Sequence, residues 1–481
     1  MFCETSFRQN QSKMLPISKT DAQLGGQFPT DDPKLALSLI LASTALASVL
    51  ATLAQVLWAD EASLPGHTLL WAFVLFSLIN YSLYRDVLHP ACMFSFIWLF
   101  STAFYVWFPG EIDSLHWLTV LILTGGTASF SIGCWFGSRP LCAGRPRFTR
   151  SAGNPKTRIL LLIYCVAIIP FSVYATMQLA GIFGLSPAMF LAARQTVINL
   201  QATGSTVESN PLVSMAPTIA VSTAFLMLIE ERKRRFAAIS IAAALVLGLF
   251  TTGRAIWMLL FCGWVIIRLL QSPTRSLASV GRRMAVVSLS ILIALTIPAL
   301  LTKTETQSAG ASGLEIAARM TAVYIGGPLA GFNYVVEHPG TFSDQSNNTF
   351  AEVLTPLRTI GLRYVPPPHF EPFFPVPFMI NVFTAYKSFY VDFGPIGTFV
   401  SFMICGAICA LIFAAAHRGN KFAMFVFCYA GFAIIFSPFL NSFILFYRYS
   451  YILFFGAIYF ILIPRLPILT VLGKRYSVPE H

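Results

Sequence analysis

Along this chain, runs of about 20 apolar residues alternate with short polar segments. Each such run predicts a helix that crosses a bilayer, because about 20 residues rising 1.5 Å each cover its roughly 30 Å apolar core. On this pattern twelve spanning helices are expected, near 35–58, 67–84, 90–108, 117–137, 159–180, 211–229, 236–252, 255–270, 284–301, 395–416, 422–440 and 443–463. The chain then divides into an N-terminal tail (1–34), one transmembrane domain (35–463) and a C-terminal tail (464–481). The first run follows a polar tail and is long enough to span, so it reads as a signal anchor. No internal repeat is visible, which argues against the paired halves of many transporters.

Two segments between the runs are long, about 181–210 and 302–394. The second contains "LEIAARMTAVYIGGPLAGFNYVVE", Leu314 to Glu337, which Gly326-Gly327-Pro328 interrupts. The expectation there is a helix lying at the membrane interface or re-entering it. Further on, "RYVPPPHFEPFFPVPF" has too many prolines for a long helix, and its aromatics suit the headgroup level.

Composition supports the membrane reading. The chain is 56% hydrophobic and 11% charged, with a mean hydropathy of +0.70. So little charge cannot cover a soluble protein of this size. A net charge of +12 raises nucleic acid as a partner. The basic residues, however, gather in short loops, such as that holding Arg139, Arg145, Arg147, Arg150, Lys156 and Arg158, and that holding Arg232 to Arg235. This is the charge bias of membrane topology. With an even number of spans, it places both termini in the cytoplasm and the two long loops outside. The nine cysteines form no CxxC pair and read as small apolar residues; no zinc pattern is present.

On the outward side charges are few, and each is a candidate. Arg254 lies in a tight turn, "LFTTGRAIW", where Gly253 allows close backbone approach. Arg194 lies in the amphipathic "FLAARQTVINL" of the first long loop. Arg319, Arg358 and Arg363 lie in the second. Arg448 sits inside the last apolar run, where burying a guanidinium is costly and implies a partner or a wet cavity. Arginine forks bind phosphate oxygens in pairs and keep their charge, so a lipid-linked diphosphate fits such a set. The segment "MINVFTAYKSFYVDFGPIGTF" adds Asp392, held at the bilayer boundary just before a helix that Gly394-Pro395 should start. There a carboxylate suits proton transfer. Tyr386 and Tyr390 offer faces on which sugars stack, and Asn381 and Lys387 offer hydrogen bonds. A metal-using alternative would rest on Asp60-Glu61 and on Glu111 with Asp113.

The segment "NVFTAYKSFYVDFGPIG", Asn381 to Gly397, resembles the oligosaccharide repeat unit polymerases, the Wzy-type O-antigen and capsule polymerases. "TTGRA" (Thr251 to Ala255) and "YIGGPLAGF" (Tyr324 to Phe332) are weaker matches. The resemblance implies a GT-C-like bacterial inner-membrane enzyme that uses no metal or other cofactor. It would join undecaprenyl-diphosphate-linked oligosaccharide units at the periplasmic face, with a flippase and a chain-length regulator of the same pathway as partners and no nucleic acid. In that role Arg194, Arg254, Arg319 and Arg448 would neutralise the diphosphate leaving group, and Asp392 would act as base or orient the acceptor hydroxyl. Some family members carry a glycine eleven residues after an arginine in both long loops. Here those positions hold Ser205 and Ala330, with Gly204 and Gly331 one place off. The related O-antigen ligases use a histidine in the large loop, which makes His338 a candidate by location. A flippase for lipid-linked oligosaccharides is the alternative of a different class.

Overall fold

A computed structural model describes residues 64–107, 114–138, 155–202, 211–230, 234–250, 255–271, 313–342, 349–350, 354, 361, 374–375, 379–380, 382–441, 443, 456 and 458–462. Its helices, in order, are α1 (Leu64–Tyr84), α2 (Pro90–Trp107), α3 (Trp117–Ser138), α4 (Pro155–Ala167), α5 (Ile169–Ala180), α6 (Pro187–Ala202), α7 (Pro211–Glu230), α8 (Arg234–Phe250), α9 (Ala255–Leu270), α10 (Gly313–Glu337), α11 (Ala385–His417) and α12 (Lys421–Phe436). A short antiparallel hairpin pairs β1 (Phe374–Pro375) with β2 (Met379–Ile380).

The fold is all-α, and the expected twelve spanning helices are not what it contains. Among the described residues, four helical stretches are long and apolar enough to cross a membrane: Leu64–Tyr84, Trp117–Ser138, Ile159–Ala180 and Ala385–His417. The apolar parts of α2, α7, α8, α9 and α12 run only 10–17 residues. At 1.5 Å per residue, 16 residues reach about 24 Å, short of a roughly 30 Å core. Hydropathy finds where an apolar run lies, but not where its helix stops. The expected spans 35–58 and 284–301 lie outside the described residues, as does most of 443–463. An even number of spans therefore no longer orients the termini. What stands is a helical protein with several long apolar helices, consistent with a multi-pass membrane protein.

One large cluster of buried side chains joins α1, α2, α3, α7, α9, α11 and α12. The most extensive contact is between α3 and α11. It is built on small residues. A Cβ on Gly133 would run into the Met403 carbonyl, one on Gly137 into that of Ala407, and one on Gly406 into that of Phe130. Small residues at such spacing let two helix backbones touch, which lipid tails cannot drive but close packing can.

Among the described residues, the long loops are largely helical. α6 occupies the first, as its amphipathic pattern suggested, and sets Phe190 against Phe250 of α8. In the second, α10 runs unbroken through Gly326-Gly327-Pro328. This corrects the expected interruption. Proline removes one donor from the helix ladder, but α10 is held by packing, with Leu329, Ala330 and Phe332 buried, and by the Ser101 hydroxyl donating to the Ile325 carbonyl (2.9 Å). α10 also caps α3: the Asn333 side-chain oxygen accepts from the His116 N–H and the Thr119 hydroxyl (both 2.7 Å).

α11 also departs from expectation. Gly394 (φ 67, ψ −172) is non-helical and splits it. Gly394-Pro395 therefore starts the longer half only. A shorter helix, Ala385 to Phe393, precedes it.

Candidate functional site

The short half of α11 is the centre on which described parts of the large loop converge. Its N-cap is Thr384. The Ala385 N–H donates to the Ser437 carbonyl beyond α12 (2.7 Å), and the Ser437 hydroxyl accepts from the Trp98 indole (2.9 Å). α10 lies alongside: a Cβ on Gly331 would stand 3.2 Å from the Val382 carbonyl and from Phe383. Phe332 packs near Tyr386 and, edge to face, near Tyr390 (centroids 5.7 and 5.9 Å).

A second, smaller aromatic cluster covers this helix. Val335, Phe342 and Phe383 form its buried centre, with Tyr334, Phe374 and Tyr390 around them. Phe374 of the hairpin meets Phe342 at 5.1 Å and Tyr334 at 5.3 Å. Among the described residues, this proline-rich stretch contributes a two-residue strand pair.

Lys387 lies inside this cluster and is 3% exposed. Its ammonium stands 4.3 Å from the centre of the Phe383 ring and 4.8 Å from that of Phe342. Aromatic faces attract a cation, and they hold this one pointing back toward the helix start. Lys387, expected to offer hydrogen bonds, is held buried between the two rings.

Asp392 is half-buried near the end of the short helix. Its Oδ2 accepts the Thr349 N–H at 2.6 Å, and the Thr349 hydroxyl donates to the Ser388 carbonyl (3.2 Å). Phe350 meets Phe393 edge to face at 6.1 Å. The carboxylate thus fastens a distant part of the large loop to the helix immediately before its break.

Tyr386 offers no face to a sugar. It is fully buried, its hydroxyl donates to the Leu123 carbonyl (2.9 Å) and lies 3.1 Å from Thr127 Oγ1, and Trp98 and Phe402 pack against its ring. Tyr390 is partly exposed and remains beside the cluster. His338 is exposed just past α10 and stacks on Tyr334 at 4.3 Å.

Among the arginines, Arg194 lies on α6 and Arg319 on α10. Arg254, Arg358, Arg363 and Arg448, together with Asn381, lie outside the described residues, as do Asp60, Glu61, Glu111 and Asp113. Among the described residues no three His, Cys, Asp or Glu side chains gather as metal ligands would. A small apolar hollow of about 20 Å³ lies elsewhere, between Val87, Leu88, Cys262, Ile266 and Ile435.

Sequence reasoning passed over Thr384, Thr349, Phe342 and Phe383. Thr384 carried a signal, since a threonine before an apolar helix is a favoured N-cap. The others had none, because their importance comes from segments far apart in sequence. No family model, curated protein or solved structure matches this chain.

Proposed function

We propose that the protein is a membrane glycosyltransferase of the polysaccharide polymerase type. It joins undecaprenyl-diphosphate-linked oligosaccharide units at the periplasmic face of a bacterial inner membrane. In this reading the short basic loops face the cytoplasm. One observation carries the reading. Two of the separate stretches that resemble the polymerases, Tyr324–Phe332 and Asn381–Gly397, lie against each other in the fold, with Gly331 on Val382 and Phe383 and Phe332 between Tyr386 and Tyr390. A main and a weaker match far apart in sequence are more telling when their residues meet at one place.

In this reading the bond between a sugar's anomeric carbon and the diphosphate oxygen breaks, and a bond to an acceptor hydroxyl oxygen forms. The hydroxyl proton passes toward Asp392, and the lipid diphosphate leaves. Arg194, Arg254, Arg319 and Arg448 neutralise the leaving charge, with Arg358 and Arg363 nearby in sequence on the large loop. Tyr390 and His338 contact the sugars. A flippase and a chain-length regulator work on the same lipid and polymer.

The test is polymer formation from lipid-linked repeat units by the purified protein in lipid. The wild type yields a ladder of chain lengths. Arg254→Ala and Asp392→Asn slow it by about 100-fold or more at unchanged protein level. If the wild type yields no polymer but moves the lipid between leaflets, the flippase reading replaces this one.

A further inference from the structure

The start of the short helix in α11 carries positive character from two sources. The first is the positive end of the helix dipole, although the Ala385 N–H is taken by the Ser437 carbonyl and the Lys387 N–H by the Thr384 carbonyl. The second is the Lys387 ammonium, in the first turn, folded back over Phe383, the residue preceding the cap. Thr384 adds a neutral hydroxyl. Its side chain makes no capping bond, although it stands at the cap position, and its hydroxyl is buried without a hydrogen-bond partner in a residue 1% exposed. A buried hydroxyl without a partner costs stability. The Thr384 hydroxyl is thus left to donate to a group that is not part of the chain. The helix itself runs about two and a half turns before Gly394, enough for its dipole to count.

We propose that this helix start is an anion site for a phosphate group, in which the Thr384 hydroxyl donates a hydrogen bond and Lys387 supplies the charge. The group is either the diphosphate of a lipid or a free phosphate anion. The first source rests on the polymerase reading; the site itself does not. Phe342 lies over the ammonium, so its ring is what the ligand displaces or enters beneath.

The experiment measures binding of inorganic pyrophosphate and of farnesyl diphosphate to the full chain in lipid nanodiscs, together with thermal unfolding without ligand. Thr384→Val is isosteric and lacks the hydroxyl; Thr384→Ser keeps it. Thr384→Val is expected to weaken binding about ten- to a hundredfold without lowering the unfolding midpoint, since an unpartnered hydroxyl is replaced by a methyl group. Thr384→Ser stays close to wild type, and Lys387→Met loses binding. Tighter binding of farnesyl diphosphate assigns the site to a lipid headgroup; equal binding of the two probes assigns it to a free anion. The proposal is overturned if the wild type binds neither probe, if Thr384→Val binds as the wild type does, or if Thr384→Val unfolds earlier, as loss of a structural cap would require. A wild type that makes no polymer while its pyrophosphate binding depends on Thr384 ends the polymerase reading and keeps the site. Normal polymer from a Thr384→Val protein with unchanged binding does the reverse.

Discussion

His89, in the turn between α1 and α2, is 1% exposed. It stacks on Tyr84 at 3.5 Å, and its Nε2 lies 3.3 Å from the Ser138 hydroxyl. Burial, with His417 nearby, lowers its pKa from 6.5 to about 3. The folded protein therefore keeps it neutral, while the unfolded chain takes up a proton below pH 6.5. Stability then falls as pH drops from 6.5 toward 3. His89→Gln should flatten the fall in unfolding midpoint between pH 7 and 4.5. A slope unchanged by the substitution would assign the pH response to other groups. Asp392 raises a different question, whether it anchors or reacts. Asn keeps an acceptor for the Thr349 N–H and Ala does not. Hydrogen exchange at Thr349 should stay slow in Asp392→Asn and quicken in Asp392→Ala, while both lose polymer formation. Activity retained in Asp392→Asn would leave the residue as an anchor only.

At the scale of elements, the α3–α11 contact depends on the absence of side chains. Gly133→Val pushes a branched side chain into the Met403 backbone, which cannot move without moving the helix. Most of the protein should then be lost from the monodisperse fraction after extraction. Gly184 has open space around it and no unusual φ, so Gly184→Ala should extract as the wild type does. Gly394 separates the two glycine effects. Nothing stands within 4 Å of a Cβ there, yet its φ of +67 is one L side chains rarely adopt. Gly394→Ala should cost about 1–3 kcal/mol through backbone strain alone, read as a lower unfolding midpoint with the aromatic cluster still formed. An unchanged midpoint would mean that the bend relaxes to an ordinary helix.

Across the described residues, an ion pair links distant parts of the chain. Lys421, at the start of α12, bonds Glu230, at the end of α7, at 3.0 Å; the carboxylate is almost wholly buried and the lysine about a third exposed. Removing the lysine alone takes a charged partner from a buried carboxylate, whereas removing both charges removes the need for that partner. Lys421→Met should therefore destabilise more than the double variant Lys421→Met with Glu230→Gln. The opposite order of unfolding midpoints would show that Glu230 is held by other groups. The hydrophobic pattern by itself placed α1, α3, the 159–180 stretch and the longer half of α11, because length and apolarity are properties of a continuous stretch. It also marked Asp392, Lys387 and Tyr390 as a group, since they share one segment. It overcounted the spanning helices, because apolar composition continues past the point where a helix ends. Tertiary structure alone decided that Tyr386 belongs to the core, that Lys387 is caged by Phe342 and Phe383, and that Asp392 fastens Thr349. It also decided that α10 continues through Pro328 and that Thr384 is left without a partner. Each of these depends on which distant segment arrives beside the residue, and burial and pairing arise only when such segments meet.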